Sequence, residues 1–190
     1  ASADVSNAPL PSTFSRPATT PPLTPALTVW AEAGTASTSV AARSAVATQS
    51  APARTGCSFT RASVPAGSEF LVTPNVSAAV AEIAHAEDLF LCMGGLSPSE
   101  LVAAHELGAD LLKVYPLPPV GGPAYLSVVR QPLGDLAPML AGGGFGIEEI
   151  PAYRAAGAVA FGIGAPLLAP DEDATSRNIR HALALARGGP

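Results

Sequence analysis

Lysine is almost missing from this chain. Of 190 residues only Lys113 is a lysine, and nine arginines carry the rest of the positive charge. Ten basic residues stand against 15 acidic ones, a net charge of −5 with no basic cluster, which argues against a nucleic-acid or anionic-membrane partner. Cysteine is confined to Cys57 and Cys92, far apart and without CxxC spacing, so both are predicted to be free thiols in a reducing cytoplasm. Apolar runs are short and interrupted by Gly or Pro, which excludes a membrane-crossing helix. No charged segment followed by an apolar stretch opens the sequence, so a secretory leader is not expected. What is abundant is apolar content, at 48%, enough for the core of one domain of ordinary size.

These averages hide two unlike parts. Residues 1–65 hold twenty Ser/Thr and eight Pro but only two acidic residues, two Gly and no Ile, Met, Tyr, His or Lys. No sustained period of 2 or 3.6 runs through them, and stretches such as Pro17-Ala18-Thr19-Thr20-Pro21-Pro22 read as low-complexity coil. Such a segment buries too little apolar surface to offset an ordering cost of roughly 1–2 kcal/mol per residue, so it is predicted to stay disordered.

From residue 66 onward, strands and helices alternate. Apolar runs at Phe70–Thr73, Leu89–Cys92, Leu111–Tyr115, Met139–Ala141 and Ala158–Gly162 predict five strands, each followed by a helical segment. Ser97-Pro98-Ser99-Glu100 reads as a capping box with proline at the first helical position, and Gly108 and Gly157 as helix stops. Asp171-Glu172-Asp173 is the acid-rich entry of the last helix. Strands apolar on both faces and separated by helices predict an α/β fold with a parallel, helix-covered sheet.

Lysine is normally a surface residue, because its ammonium is strongly hydrated. Placed in an apolar strand, Lys113 has its pKa pushed down and its amine made nucleophilic, as Schiff-base chemistry requires. In a parallel α/β barrel the site gathers at the C-terminal strand ends, where Lys113 falls. Two glycine-rich strand ends follow it, Gly142-Gly143-Gly144 and Gly162-Ile163-Gly164-Ala165. Their bare amides can hold a phosphate. His85, His105 and His181 lack ligand spacing, and His105-Glu106 is not part of HExxH, so no metal is expected.

The run Leu111-Leu112-Lys113-Val114-Tyr115-Pro116 resembles the LLKxFP strand of the 2-keto-3-deoxy-6-phosphogluconate (KDPG) and 4-hydroxy-2-oxoglutarate aldolases. Four further motifs around it match in order. Ala66–Pro74 resembles AGAxFxVSP, Ser97–Glu100 resembles TPSE, Gly121–Leu126 matches GGPxYL, and Gly143-Gly144 matches the glycine pair of TGGI. The resemblance covers about residues 62–187. It implies a TIM (β/α)8 barrel, of which the C-terminal five β/α units are recognisable, and a class I aldolase that uses neither metal nor cofactor. It also implies a small-molecule phosphorylated keto acid as substrate and a homotrimer as assembly. Lys113 would form the imine, Pro74 and Tyr115 would line the pyruvate pocket, and the amides of Gly143, Gly144, Gly164 and Ala165 would hold the phosphate.

The family's early E-V-T-x-R strand, whose Glu moves protons, and its G-A-G-T strand are absent. Family spacing places them near Pro25–Ala26 and Ser50–Ala53, where unrelated residues stand. Gly142 replaces the usual Thr, and Ala165 the usual Ser. Residues 1 to about 61 therefore read as an out-of-frame translation of the missing barrel half, or as a genuine extension; the other two reading frames of the gene separate the two. Either way, loss of the Glu predicts crippled turnover. A non-catalytic phosphate-binding barrel remnant is the alternative function. Cleavage of unphosphorylated 4-hydroxy-2-oxoglutarate, or of the 6-phosphogalactonate form, also stays open.

Overall fold

The computed structural model describes residues 26–29, 44–46, 64, 67–133 and 136–189. The strands are β1 (Ala26–Val29), β2 (Ser44–Val46), β3 (Phe70–Val72), β4 (Phe90–Gly95), β5 (Leu111–Val114), β6 (Met139–Gly142) and β7 (Ala160–Ile163). The helices are α1 (Ala78–Ala86), α2 (Pro98–Glu106), α3 (Pro123–Arg130), α4 (Ile150–Ala155) and α5 (Glu172–Ala186). The five expected strands pair in sequence order from β3 to β7, all parallel, with a helix after each. This is the TIM-barrel arrangement expected for residues 66–190.

Two strands depart from the coil expected over residues 1–65. β1 adds in parallel to β7, and β2 adds to β3, giving the order β1-β7-β6-β5-β4-β3-β2. The physical reason is the open edge. An unpaired edge strand offers a row of main-chain donors and acceptors that a short proline-free segment can satisfy with little demand on sequence. Family spacing places the Glu-bearing strand at Pro25–Ala26, yet the structure seats residues 26–29 beside the last strand. The remainder of residues 1–65, including Cys57, lies outside the described residues apart from position 64.

Local rules hold the helices where the sequence puts them. Ser97 caps α2 by accepting from the Glu100 amide, and the Glu100 carboxylate returns to the Ser97 N–H at 2.7 Å. These donated hydrogen bonds hold the Glu100 pKa below its usual value. Asp171 accepts from Ala174 N–H at 2.6 Å and starts α5. Gly108 and Gly157 stop α2 and α4 with φ of 79° and 98°, which a side chain would resist. The segment before α4 is tighter than a uniform helix, with a 3-10 turn over Ile147–Glu149.

Two apolar layers result from the period of two along each strand. Leu71, Leu91, Met93, Leu112, Val114, Met139, Ala141, Phe161 and Ile163 pack with the helices. Val72, Cys92, Leu111, Leu140 and Ala160 form a second cluster on the opposite, interior face. Lys113 is two residues beyond Leu111 and shares that interior face.

Candidate active site

Register fixes what surrounds Lys113. In β5 it pairs with Gly94 of β4 on one side and Leu140 of β6 on the other. The same face continues one pair further as Gly142 against Gly162 of β7. Above the interior apolar cluster, the lysine therefore stands by two glycines on the neighbouring strands, Gly94 of β4 and Gly142 of β6. A Cβ on Gly142 would lie 3.3 Å from Lys113 Cε and 3.7 Å from its Cγ, so the lysine stem occupies space that a side chain at 142 would claim. The Gly142 position, where the resemblance expects threonine, is here filled by the lysine itself.

Lys113 is 9% exposed and, with Thr73, makes up the buried polar and charged side chains among the described residues. Burial pushes its pKa below the ordinary lysine value, and the Cys92 thiol partly opposes that shift. Nζ lies 4.7 Å from the centroid of the Tyr115 ring, a cation–π distance. Cys92 is a buried free thiol two residues before Gly94 on the same face of β4. Burial raises its pKa to about 12, against a smaller lowering by Lys113.

The Cys92 shift has a measurable consequence. Burial holds the thiol proton in the folded state up to about pH 12, while the unfolded thiol releases it near its ordinary value of 9.0. Between those values the native state binds more protons than the unfolded one, so stability falls as pH rises through the window. The full loss is about 4 kcal/mol at about 1.4 kcal/mol per unit. Urea unfolding between pH 8.5 and 11 is expected to show this decline, and Cys92→Ala to remove most of it. An equal slope in the variant would refute the assignment.

Thr73, which sequence reasoning passed over, organises the adjacent wall. Its hydroxyl donates to the Asn75 carbonyl at 2.7 Å and accepts from the Gly94 N–H at 3.3 Å. Those bonds shape the turn at Pro74, which is exposed at the end of β3. A Cβ on Gly94 would overlap the Pro74 carbonyl carbon and oxygen, so the absent side chain is what lets the two backbones meet. A Ser/Thr at the end of an apolar strand beside Pro was the available signal, but the partner glycine 21 residues away was not visible.

The remaining predicted residues form the far side. Tyr115 is 39% exposed, and its N–H donates to Gly95 O at 3.1 Å. Leu117 N–H donates to Gly142 O at 3.0 Å, binding the end of β5 to the end of β6. Gly143 has φ 128°, and a Cβ there would lie 2.8 Å from Leu117 N. Gly144 has φ 84° with open space where its Cβ would be. Gly164 and Ala165 follow β7, the strand paired with β6, at the start of a 3-10 turn over Ala165–Leu167. Among the described residues, none of the loop and turn backbone hydrogen bonds is donated by Gly143, Gly144, Gly164 or Ala165. Among the described residues no group of three or more His, Cys, Asp or Glu could hold a metal ion. No helix among them is long and apolar enough to cross a membrane.

The family model "Aldolase: KDPG and KHG aldolase" matches residues 54–181, about two thirds of the chain. The chain belongs to the KDPG and KHG aldolase family. The match begins twelve residues ahead of the first recognisable motif at Ala66. Similar proteins include a probable 2-dehydro-3-deoxy-6-phosphogalactonate aldolase of Rhizobium meliloti (strain 1021), 35% identical over 55% of this chain and 49% of that protein. The 2-dehydro-3-deoxy-6-phosphogalactonate aldolase of Escherichia coli (strain K12) is 30% identical over 53% of this chain and 49% of that protein. The chain thus spans about half the length of the curated relatives it matches. A solved 4-hydroxy-2-oxoglutarate/2-dehydro-3-deoxyphosphogluconate aldolase from TTHB1 superposes with TM-score 0.57 at 32% identity, covering 63% of this chain and 60% of that one. In KDPG and KHG aldolase terms, the described sheet from β3 to β7 is the C-terminal part of the barrel.

Proposed function

We propose that this chain carries the Schiff-base half of a class I aldolase for a 2-keto-3-deoxy-6-phospho sugar acid. The observation that carries this reading is Lys113, buried with a lowered pKa, beside Gly94 in register and with its stem against Gly142. Desolvation leaves more of the amine neutral at working pH, and the missing side chain at Gly142 leaves room for the lysine stem. The neutral amine adds to C2, and the carbinolamine takes up a proton from solvent and loses water, giving a protonated imine. The C3–C4 bond then breaks, its electron pair becoming the C2=C3 bond of an enamine as the C4 hydroxyl loses its proton. Glyceraldehyde 3-phosphate departs, the enamine takes a proton at C3, and hydrolysis frees pyruvate.

Cleavage of the phosphogluconate and phosphogalactonate epimers gives the same products, since the stereocentre at C4 becomes a carbonyl. Both named curated relatives are phosphogalactonate aldolases, which supports that epimer beside KDPG. Pro74 and Tyr115 are proposed to line the pyruvate pocket, and the amides of Gly143, Gly144, Gly164 and Ala165 to take the phosphate. A cytoplasmic homotrimer is the proposed state, and residues 1 to about 61 the proposed out-of-frame segment. General acid–base help is worth about 10²–10⁴ in rate, so without the family's Glu turnover is slow even where the imine forms.

Borohydride reduction with pyruvate tests the proposal. A pyruvate-derived mass increment on the Lys113 peptide is the expected result. No adduct at saturating pyruvate would overturn it and favour a barrel remnant that binds phosphate without catalysis.

A further inference from the structure

We propose that the Tyr115 hydroxyl is the proton relay of this site, an inference that rests on Lys113 being the imine-forming residue. The family strand LLKxFP has phenylalanine where this chain has Tyr115, so the hydroxyl is an addition to an otherwise matching strand. Tyr115 lies two residues beyond Lys113 and therefore on the same interior face, at the C-terminal lip. Its ring centroid is 4.7 Å from Nζ, so the ring lies beside the atom that a keto acid would join. The ring is also set on a fixed backbone. Tyr115 N–H donates to Gly95 O at 3.1 Å, and Leu117 N–H donates to Gly142 O at 3.0 Å, holding the segment from both neighbouring strands. At 39% exposure, the residue also meets solvent, which a relay needs.

Among the described residues, the nearby protic side chains of Thr73 and Cys92 are less suited. The Thr73 hydroxyl already donates to Asn75 O at 2.7 Å and accepts from Gly94 N–H at 3.3 Å. Cys92 is fully buried in the layer beneath, among Val72, Leu111, Leu140 and Ala160. Tyrosine is an established general acid–base side chain when a partner passes the proton onward.

The relay balances as follows. In the imine of pyruvate, the C3–H bond breaks and its pair becomes the enamine double bond, quenching the positive charge on nitrogen. The proton passes to the Tyr115 oxygen while the phenolic proton leaves to a water molecule, so the phenol stays neutral. In cleavage the C4 hydroxyl proton leaves along the same path as the C3–C4 pair moves into the enamine.

The test uses the full chain with pyruvate in deuterium oxide. Methyl exchange is followed by proton NMR and divided by the fraction of Lys113 captured with borohydride. Tyr115→Phe, which keeps the ring, is expected to lower that ratio at least about tenfold, the low end of general acid–base effects. Imidazole, a small diffusible base, is expected to restore exchange in Tyr115→Phe in proportion to its concentration. An unchanged ratio in Tyr115→Phe overturns the relay while leaving the imine standing. Capture in the wild type without exchange also overturns the relay. No capture in the wild type overturns both readings.

Discussion

Lys113→Met abolishes borohydride capture of pyruvate and all pyruvate-dependent exchange, while the unfolding midpoint stays level or rises. The two halves of this result come from one environment. Lys113 is 9% exposed, and burial lowers its pKa, so holding an ammonium there is unfavourable for the fold. Methionine keeps the stem that lies against Gly142 and removes the charge that had to be desolvated. A lysine kept for structure gives the opposite pattern, with lost stability on substitution. The pH dependence follows in the same sense. Because the folded-state pKa lies below the unfolded value, the unfolded chain binds the extra proton between the two, and the lysine's contribution to stability rises with pH through that window. Lys113→Met flattens this segment of the stability profile. A variant that still traps pyruvate, or that melts well below the wild type, removes Lys113 from the proposed role.

Gly94→Ala costs about 3 kcal/mol, the upper range for forcing an atom into a packed site. A Cβ at this position meets the Pro74 carbonyl carbon and oxygen and lies 2.6 Å from Thr73 O, all backbone atoms. Neither side can yield cheaply. Thr73 N–H donates to Cys92 O at 3.0 Å, and Gly94 N–H donates to the Thr73 hydroxyl at 3.3 Å. Moving the Pro74 turn breaks both bonds, and Gly94 sits beside Lys113 in register, so capture of pyruvate falls together with stability. Gly144→Ala is the contrast. Nothing lies within 4 Å of its Cβ, and only the φ of 84° opposes it, at a cost of about 1 kcal/mol. Urea unfolding of the two variants separates the cases, and equal losses would show that the close approach does not govern Gly94.

Much of the barrel's C-terminal part was written locally. The capping box at Ser97–Glu100, the stop at Gly108 and the cap at Asp171 each depend on a few neighbouring residues. Their positions were therefore readable in one dimension. Where 3-10 geometry replaced the first turn of the fourth helix, at Ile147–Glu149, the pattern of apolar residues did not distinguish the two. The added strands β1 and β2 were not readable at all. Their pairing is with main-chain groups at the edges of the sheet, and such groups leave no side-chain signature.

The lone lysine, its apolar strand, the order of strands β3 to β7 and the glycine-rich ends of β6 and β7 were determined by the sequence alone. Each of those features is local, set by composition, period or spacing. The company Lys113 keeps was decided only by the tertiary structure. Gly94 beside it, Gly142 under its stem, Cys92 in the layer below and Tyr115 against its ammonium depend on the register of parallel strands. That register is set by helices packing across many residues, because shifting a strand by one residue turns every side chain to the other face. Sequence named the amine; register set the glycines and the Tyr115 ring beside it.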